Sequence, residues 1–180
     1  MKTESDEQLM LDAGRGDLAA FEEIVRRHQG WAWNIAYRFL GQADDAEDAV
    51  QDAFLRLLDA AGRYRPSAAF KTYFHRIITR LCLDRARKKQ PLYMEDVPDT
   101  ADPSRSADER VVQGETAAAV RAALDALPPN QRMAVVLRYY EDLGYGEIAS
   151  AMETTPKAVE RLLARGRKGL RSILTSRKKL

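Results

Sequence analysis

The stretch that most constrains this chain runs from Gly144 to Leu174, GYGEIASAMETTPKAVERLLARGRKGLRSIL. Its apolar residues fall in two groups: Ile148, Ala149 and Met152, then Val159, Leu162, Leu163, Leu170, Ile173 and Leu174 at three- and four-residue steps. Such spacing gives each of two helices one apolar face, and the faces bury each other. Between them, Thr154-Thr155-Pro156 supplies a hydroxyl N-cap and a proline at the first helical position, where its missing N–H costs nothing. The pattern predicts a short helix, a tight turn and a long helix. The long helix carries Lys157, Arg161, Arg165, Arg167, Lys168 and Arg171 away from its apolar face. Cations so arrayed neutralise phosphates and give salt-dependent DNA affinity, while an amphipathic helix with a solvated basic face is the alternative reading.

Charge is distributed unevenly. The 180 residues carry a net charge of only +2, yet residues 1–90 hold 15 basic and 14 acidic side chains, residues 91–115 hold 2 and 7, and residues 116–180 hold 12 and 6. A basic C-terminal unit therefore follows an acidic middle. The only cysteine, Cys82, lies in an apolar run, which excludes an internal disulfide and suits a small buried hydrophobe. The polar N-terminus lacks the apolar stretch of a secretory signal and no run reaches membrane-spanning length, so a cytoplasmic protein without membrane insertion is expected. His28 and His75 form no metal set with one cysteine, and no HExxH, paired-cysteine or glycine-rich phosphate motif occurs. No metal, cofactor or catalytic residue is expected, and the chain reads as a binding protein rather than an enzyme.

Helical periodicity fills residues 6–90, with Asp17 as a helix start and Gly41-Gln42 as a break, predicting a bundle of three or four helices. Residues 91–115 carry Pro91, Pro98 and Pro103 among acidic and small polar residues, the composition of a flexible linker spanning roughly 25–30 Å as a random coil. A second periodic unit covers residues 116–176. The expected fold class is all-α: two small helical domains, the second containing the helix-turn-helix, joined by a flexible acidic linker.

Two further patches carry chemistry. In DAEDAVQDAFLRL (45–57), Ala46, Val50, Ala53, Phe54 and Leu57 share one face and leave Asp45, Glu47, Asp48, Gln51 and Asp52 outside. This is either a solvated face or a docking surface for a basic partner, whose approach the carboxylates would steer. In TYFHRIITRLCLDRARKK (72–89), Arg76, Arg80, Arg85, Arg87, Lys88 and Lys89 follow Tyr73, Phe74 and His75. Aromatics interleaved with cations suit single-stranded nucleic acid, where rings stack on bases and cations hold phosphates. At helical spacing Phe70, Phe74, Ile77, Ile78 and Leu81 are expected in the core, leaving Tyr64 and Tyr73 exposed.

These motifs in this order, together with AAFKTYFHRI, LDRARKK and ALPPNQRMAVVLRYYEDLGYGEIA, resemble the bacterial sigma factors of the extracytoplasmic-function group, over about Glu7 to Leu174. The resemblance implies a first domain that docks on core RNA polymerase and melts the minus-ten promoter element, and a second that binds the minus-thirty-five element as duplex. It puts polymerase docking on Asp48, Gln51, Asp52 and Leu55, with Phe54 supporting the helix. It puts minus-ten contacts on Tyr64, Arg65, Tyr73, Arg76, Arg80, Arg85, Arg87 and Lys88, with the Tyr64 ring stacking on a flipped base. Minus-thirty-five contacts fall on Lys157, Glu160, Arg161, Ala164, Arg165, Arg167 and Lys168. Promoter DNA, core polymerase and an anti-sigma protein are the implied partners. Two departures bear on specificity: Arg80 stands where many relatives have asparagine, and Glu160-Arg161 replaces a common lysine-serine pair. Glu160 either accepts from a cytosine amino group or pairs with a neighbouring arginine, and Arg161 can read a guanine edge. The alternative function is a stand-alone dimeric helix-turn-helix regulator with an N-terminal sensing bundle, which would bind palindromic duplex without polymerase.

Overall fold

The computed structural model describes residues 4–89 and 112–177, and every regular element among them is an α-helix. The first group is α1 (Asp6–Ala13), α2 (Leu18–Leu40), α3 (Ala43–Ala61) and α4 (Phe70–Lys89). The second is α5 (Val112–Asp125), α6 (Pro129–Tyr139), α7 (Tyr145–Ala151) and α8 (Pro156–Arg177). The expected linker falls mostly on residues 90–111, outside the described residues. Its last four residues belong instead to α5, because the alanine-rich run that follows carries the helix back past Gly114.

The helix starts follow their caps. Asp17 accepts from the Ala19 and Ala20 amides at 2.9 and 3.1 Å. Thr155 Oγ1 accepts from the Ala158 amide at 3.2 Å, with Pro156 opening α8 as the sequence predicts. The α2 helix ends at Gly41, whose φ of +77° is a left-handed cap that glycine adopts without strain.

The bundle closes around aromatic rings. Phe54 and Phe74 meet at 5.1 Å between centroids, Phe70 and Phe74 at 5.8 Å, and Trp31 and Phe74 at 5.3 Å. Phe70, Phe74, Ile78 and Leu81 are buried as expected, while Ile77 is partly exposed. Cys82 is fully buried and its thiol is pushed up to about 12 by desolvation, so it stays protonated and packs as a hydrophobe. The two groups of helices touch: α4 packs on α6 and α7, and α2 on α5 and α6. Buried apolar residues from both form a single cluster.

Candidate nucleic-acid interface

The acidic face of α3 is not an isolated surface. Its carboxylates lie one and two turns from its N-terminus, on the side opposite the buried Ala46, Ala49, Ala53 and Leu57. Arg85 of α4 reaches across to it, 2.5 Å from Asp52 and 3.8 Å from Asp48. Arg85 thus departs from its expected place among the minus-ten cations. At 100° per residue it stands about 180° from Arg76 around α4, and it orders the carboxylates rather than joining the basic row. Gln51 remains exposed beside them, and Leu55 is 60% exposed, an apolar side chain without cover.

The opposite side of α4 presents Tyr73, Arg76, Arg80 and Arg87 within about 60° of one another, with Lys88 further round. Arg76, Arg80, Arg87 and Lys88 are exposed, and Arg65 is exposed in the preceding loop. Tyr64 corrects an expectation: it is 5% exposed, its ring lies 5.5 Å from that of Tyr73, and burial pushes its phenol pKa up. The loop folds inward here, with the Phe70 amide donating to the Glu7 carboxylate at 2.8 Å, so the ring that would stack on a base fills the loop's own core. Tyr73, half-buried, is the ring nearer solvent.

On α8, Lys157, Glu160, Arg161, Ala164, Arg165 and Lys168 are exposed along one face, while Val159 and Leu163 are buried. Arg167 again differs from expectation. It is exposed, but it stands about 40° around α8 from the buried Leu163, beside Tyr139 and Tyr145, which raise its pKa. Gly166 and Gly169 let α8 lie close to α6 and to Leu127: a Cβ on either would fall 2.9 Å from Val135 and 2.7 Å from Leu127.

The residues that join the two helix groups had no mark in the sequence. Glu141, beyond the end of α6, has a side chain only 7% exposed; it accepts from the Trp31 indole at 2.5 Å and lies 3.9 Å from Arg38 and 4.0 Å from His75. Desolvation raises its pKa. The His75 Nδ1–H donates to the Lys71 carbonyl, and burial lowers the imidazole to about 4, so it is neutral near pH 7 and its contact with Glu141 is not an ion pair. Arg132 donates to the Phe39 and Asp125 carbonyls, fastening the α5–α6 turn to the end of α2. Glu153, just past α7, sits 3.5 Å from Arg76 and 3.7 Å from Arg80. Acidic residues in a loop are ordinary in sequence, and only their placement against another unit's cations singles these out.

Comparison with known proteins follows the same division. The family model for sigma-70 region 2 matches residues 24–91, and that for sigma-70 region 4 matches residues 117–170. The ECF RNA polymerase sigma factor SigE of Mycolicibacterium smegmatis is 37% identical over 166 residues, covering 88% of this chain and 64% of that protein. SigM of Mycobacterium tuberculosis is 36% identical over 173 residues, covering 94% and 85%. Among solved structures, CnrH in complex with the cytosolic domain of CnrY superposes with a TM-score of 0.70 at 26% identity, covering 96% of this chain and 99% of that one. The sigma factor RpoE from Bartonella quintana, solved with the anti-sigma factor NepR, shares the fold at a TM-score of 0.63 and 19% identity, covering 86% and 96%.

Proposed function

The chain belongs to the extracytoplasmic-function sigma factors of the sigma-70 family, and we propose that it docks on core RNA polymerase and directs initiation at a defined set of promoters. The observation that carries this reading is the pairing of two exposed basic faces, on α4 and α8, with an ordered acidic and apolar face on α3. Asp48, Gln51, Asp52 and Leu55 form the polymerase contact. Asp48 and Asp52 keep part of their charge toward solvent while Arg85 fixes their geometry, and Leu55 adds apolar area that docking would bury.

Arg65, Tyr73, Arg76, Arg80, Arg87 and Lys88 hold the minus-ten strand. The cations track its phosphates and Tyr73 offers a ring to an unpaired base, an interaction worth roughly 1–3 kcal/mol. Tyr64 joins them only when its loop opens, since the ring is buried in the closed loop. Lys157, Glu160, Arg161, Ala164, Arg165 and Lys168 face the minus-thirty-five duplex. Among these Arg161 and Glu160 have the chemistry to read guanine and cytosine edges, and the remainder position the helix on the backbone. No bond is made or broken by this protein in the reading. An anti-sigma protein is a further partner in this reading, by analogy with RpoE of Bartonella quintana, which was solved in complex with the anti-sigma factor NepR.

Reconstitution with core polymerase tests the reading. The holoenzyme should start transcripts at discrete sites on genomic DNA, and Asp48→Lys with Asp52→Lys should abolish polymerase association while circular dichroism stays that of a helical protein. Folded protein that starts no transcript at any site, or a dimer that binds palindromic duplex tightly without polymerase, would sink it.

A further inference from the structure

The loop between α3 and α4 is held at both ends by α1, a helix that carries none of the proposed DNA or polymerase contacts. At the start of the loop, Gly14 lies so close to the end of α3 that a Cβ there would fall 2.4 Å from the Ala61 carbonyl oxygen. At its end, the Glu7 carboxylate accepts from the Phe70 amide at 2.8 Å, a contact between residues 63 apart in the chain. That bond is the main cause of a Glu7 pKa held below its usual value. Asp6, next to it, is tied to α2 by Arg27 at 2.9 Å and His28 at 2.8 Å, so α1 is itself fixed on the bundle.

The loop has little of its own to hold it. Residues 62, 63 and 65–69 are exposed, and only Tyr64 turns inside. The Tyr64 hydroxyl is buried without a hydrogen-bond partner among the described residues. Such a group costs free energy, so the ring is not what locks the loop in place. Ala69 stands at the N-cap of α4, where its carbonyl accepts from the Thr72 and Tyr73 amides, and it has no side-chain oxygen with which to cap the helix. Glu7 supplies from α1 the acceptor that Ala69 lacks, with a charge that suits a helix N-terminus. A cap within residue 69 would stabilise the helix alone, whereas one borrowed from another helix also fixes where the helix and its loop stand.

We propose that Glu7 is a positioning residue for the minus-ten contacts: acting through the Phe70 amide, it sets the loop and the first turn of α4 against α1, so that Arg65, Tyr73 and Arg76 meet the strand from fixed places while Tyr64 is the part that moves. This rests on the minus-ten reading proposed above. Glu7 itself touches no phosphate, which its charge would repel. Its effect passes through backbone whose neighbouring side chains do the binding.

Hydrogen exchange on the free full-length chain and promoter opening by the holoenzyme test the proposal. Glu7→Ala should speed amide exchange over residues 62–72 by roughly tenfold or more, the scale of one lost charge-assisted hydrogen bond, with exchange in the middle of α3 unchanged. At a promoter that the wild-type holoenzyme uses, the same variant should slow formation of the heparin-resistant open complex by a similar factor without loss of polymerase affinity. Glu7→Gln keeps an oxygen acceptor for the Phe70 amide and should retain most of the rate. Adding Ala69→Ser to Glu7→Ala gives α4 an uncharged cap of its own. The thermal midpoint should then recover, while opening stays slow because the loop is no longer tied to α1. Opening restored together with stability would make Glu7 a helix cap and nothing more, and opening at the wild-type rate by Glu7→Ala would equally overturn the proposal. Should the wild-type holoenzyme start no transcript, the sigma reading is lost; exchange over residues 62–72 that Glu7→Ala leaves unchanged overturns the hold of α1 on the loop whether or not the holoenzyme initiates.

Discussion

His75 shows how one residue couples the contact between the helix groups to pH. Burial, reinforced by the positive charge of Lys71, lowers its pKa from 6.5 to about 4; the Lys71 carbonyl and the Glu147 carboxylate oppose the shift without overcoming it, and Glu141 stands 4.0 Å away. The unfolded chain therefore binds a proton at His75 that the folded chain refuses, so the contribution of the neutral imidazole is complete above about pH 6.5 and is lost as pH falls toward 4. At 1.36 kcal/mol per pKa unit the full loss is roughly 3 kcal/mol. Glu141 has the opposite sign, since its raised pKa means that protonation relieves a cost, but that relief begins only near its own lower range. Denaturant midpoints at pH 7 and near pH 5 should differ markedly for wild type and much less for His75→Gln; equal differences would show that another group carries the acid sensitivity. At Glu153 the separable quantities are strain and charge. Glu153→Gly removes both, Glu153→Ala only the charge, so the glycine variant should be the more stable by on the order of 1 kcal/mol in thermal unfolding. Equal stability would mean that the left-handed backbone costs nothing there.

Elements were legible where their causes are local. The Asp17 and Thr155 caps, the Gly41 stop and the apolar stripes of α3, α4 and α8 are short-range rules, and the helices begin and end where those rules place them. Close approach between helices is not local, and glycine illustrates the gap. A Cβ on Gly14 would lie 2.4 Å from the Ala61 carbonyl oxygen, a backbone atom that cannot rotate away, although the φ of −67° at Gly14 is ordinary and nothing in its sequence context marks it. Gly30 lies within α2 with nothing inside 4 Å of the same virtual atom. Gly14→Ala should therefore destabilise by about 1–3 kcal/mol through overpacking of α1 on the end of α3, and Gly30→Ala should stabilise by roughly 0.5–1 kcal/mol through helix propensity. Chemical denaturation distinguishes them, and a neutral Gly14→Ala would show that the α1–α3 contact yields easily. The candidate sites divide in the same way. Arg76, Arg80 and the outer face of α8 follow from helical spacing, whereas the inward turns of Tyr64 and Arg85 depend on partners distant in sequence: the loop core and the α3 carboxylates.

At the scale of the whole molecule, if Arg76 and Arg80 hold DNA as proposed, a strand must displace Glu153 from the same two cations, and salt acts on both contacts. An open chain that neutralises phosphates with Arg65, Arg76, Arg80, Arg87 and Lys88 should lose single-strand affinity with a slope near −0.7 per cation in log K against log salt, about −3.5 in all. In the closed chain one carboxylate already serves Arg76 and Arg80, so binding a strand exchanges Glu153 for phosphate and releases about one fewer counterion. Added salt also screens the Glu153 pairs, which are roughly half-exposed on both sides, and so raises the open fraction while it weakens the strand's own contacts. Both effects act in one direction. Oligothymidylate binding by wild type should show a slope shallower by about 0.7 than that of the Glu141→Gln, Glu153→Gln variant, with the two affinities converging as salt rises. Parallel lines at every salt concentration would mean that the α4 cations are uncovered in the free protein and that opening contributes nothing to promoter access.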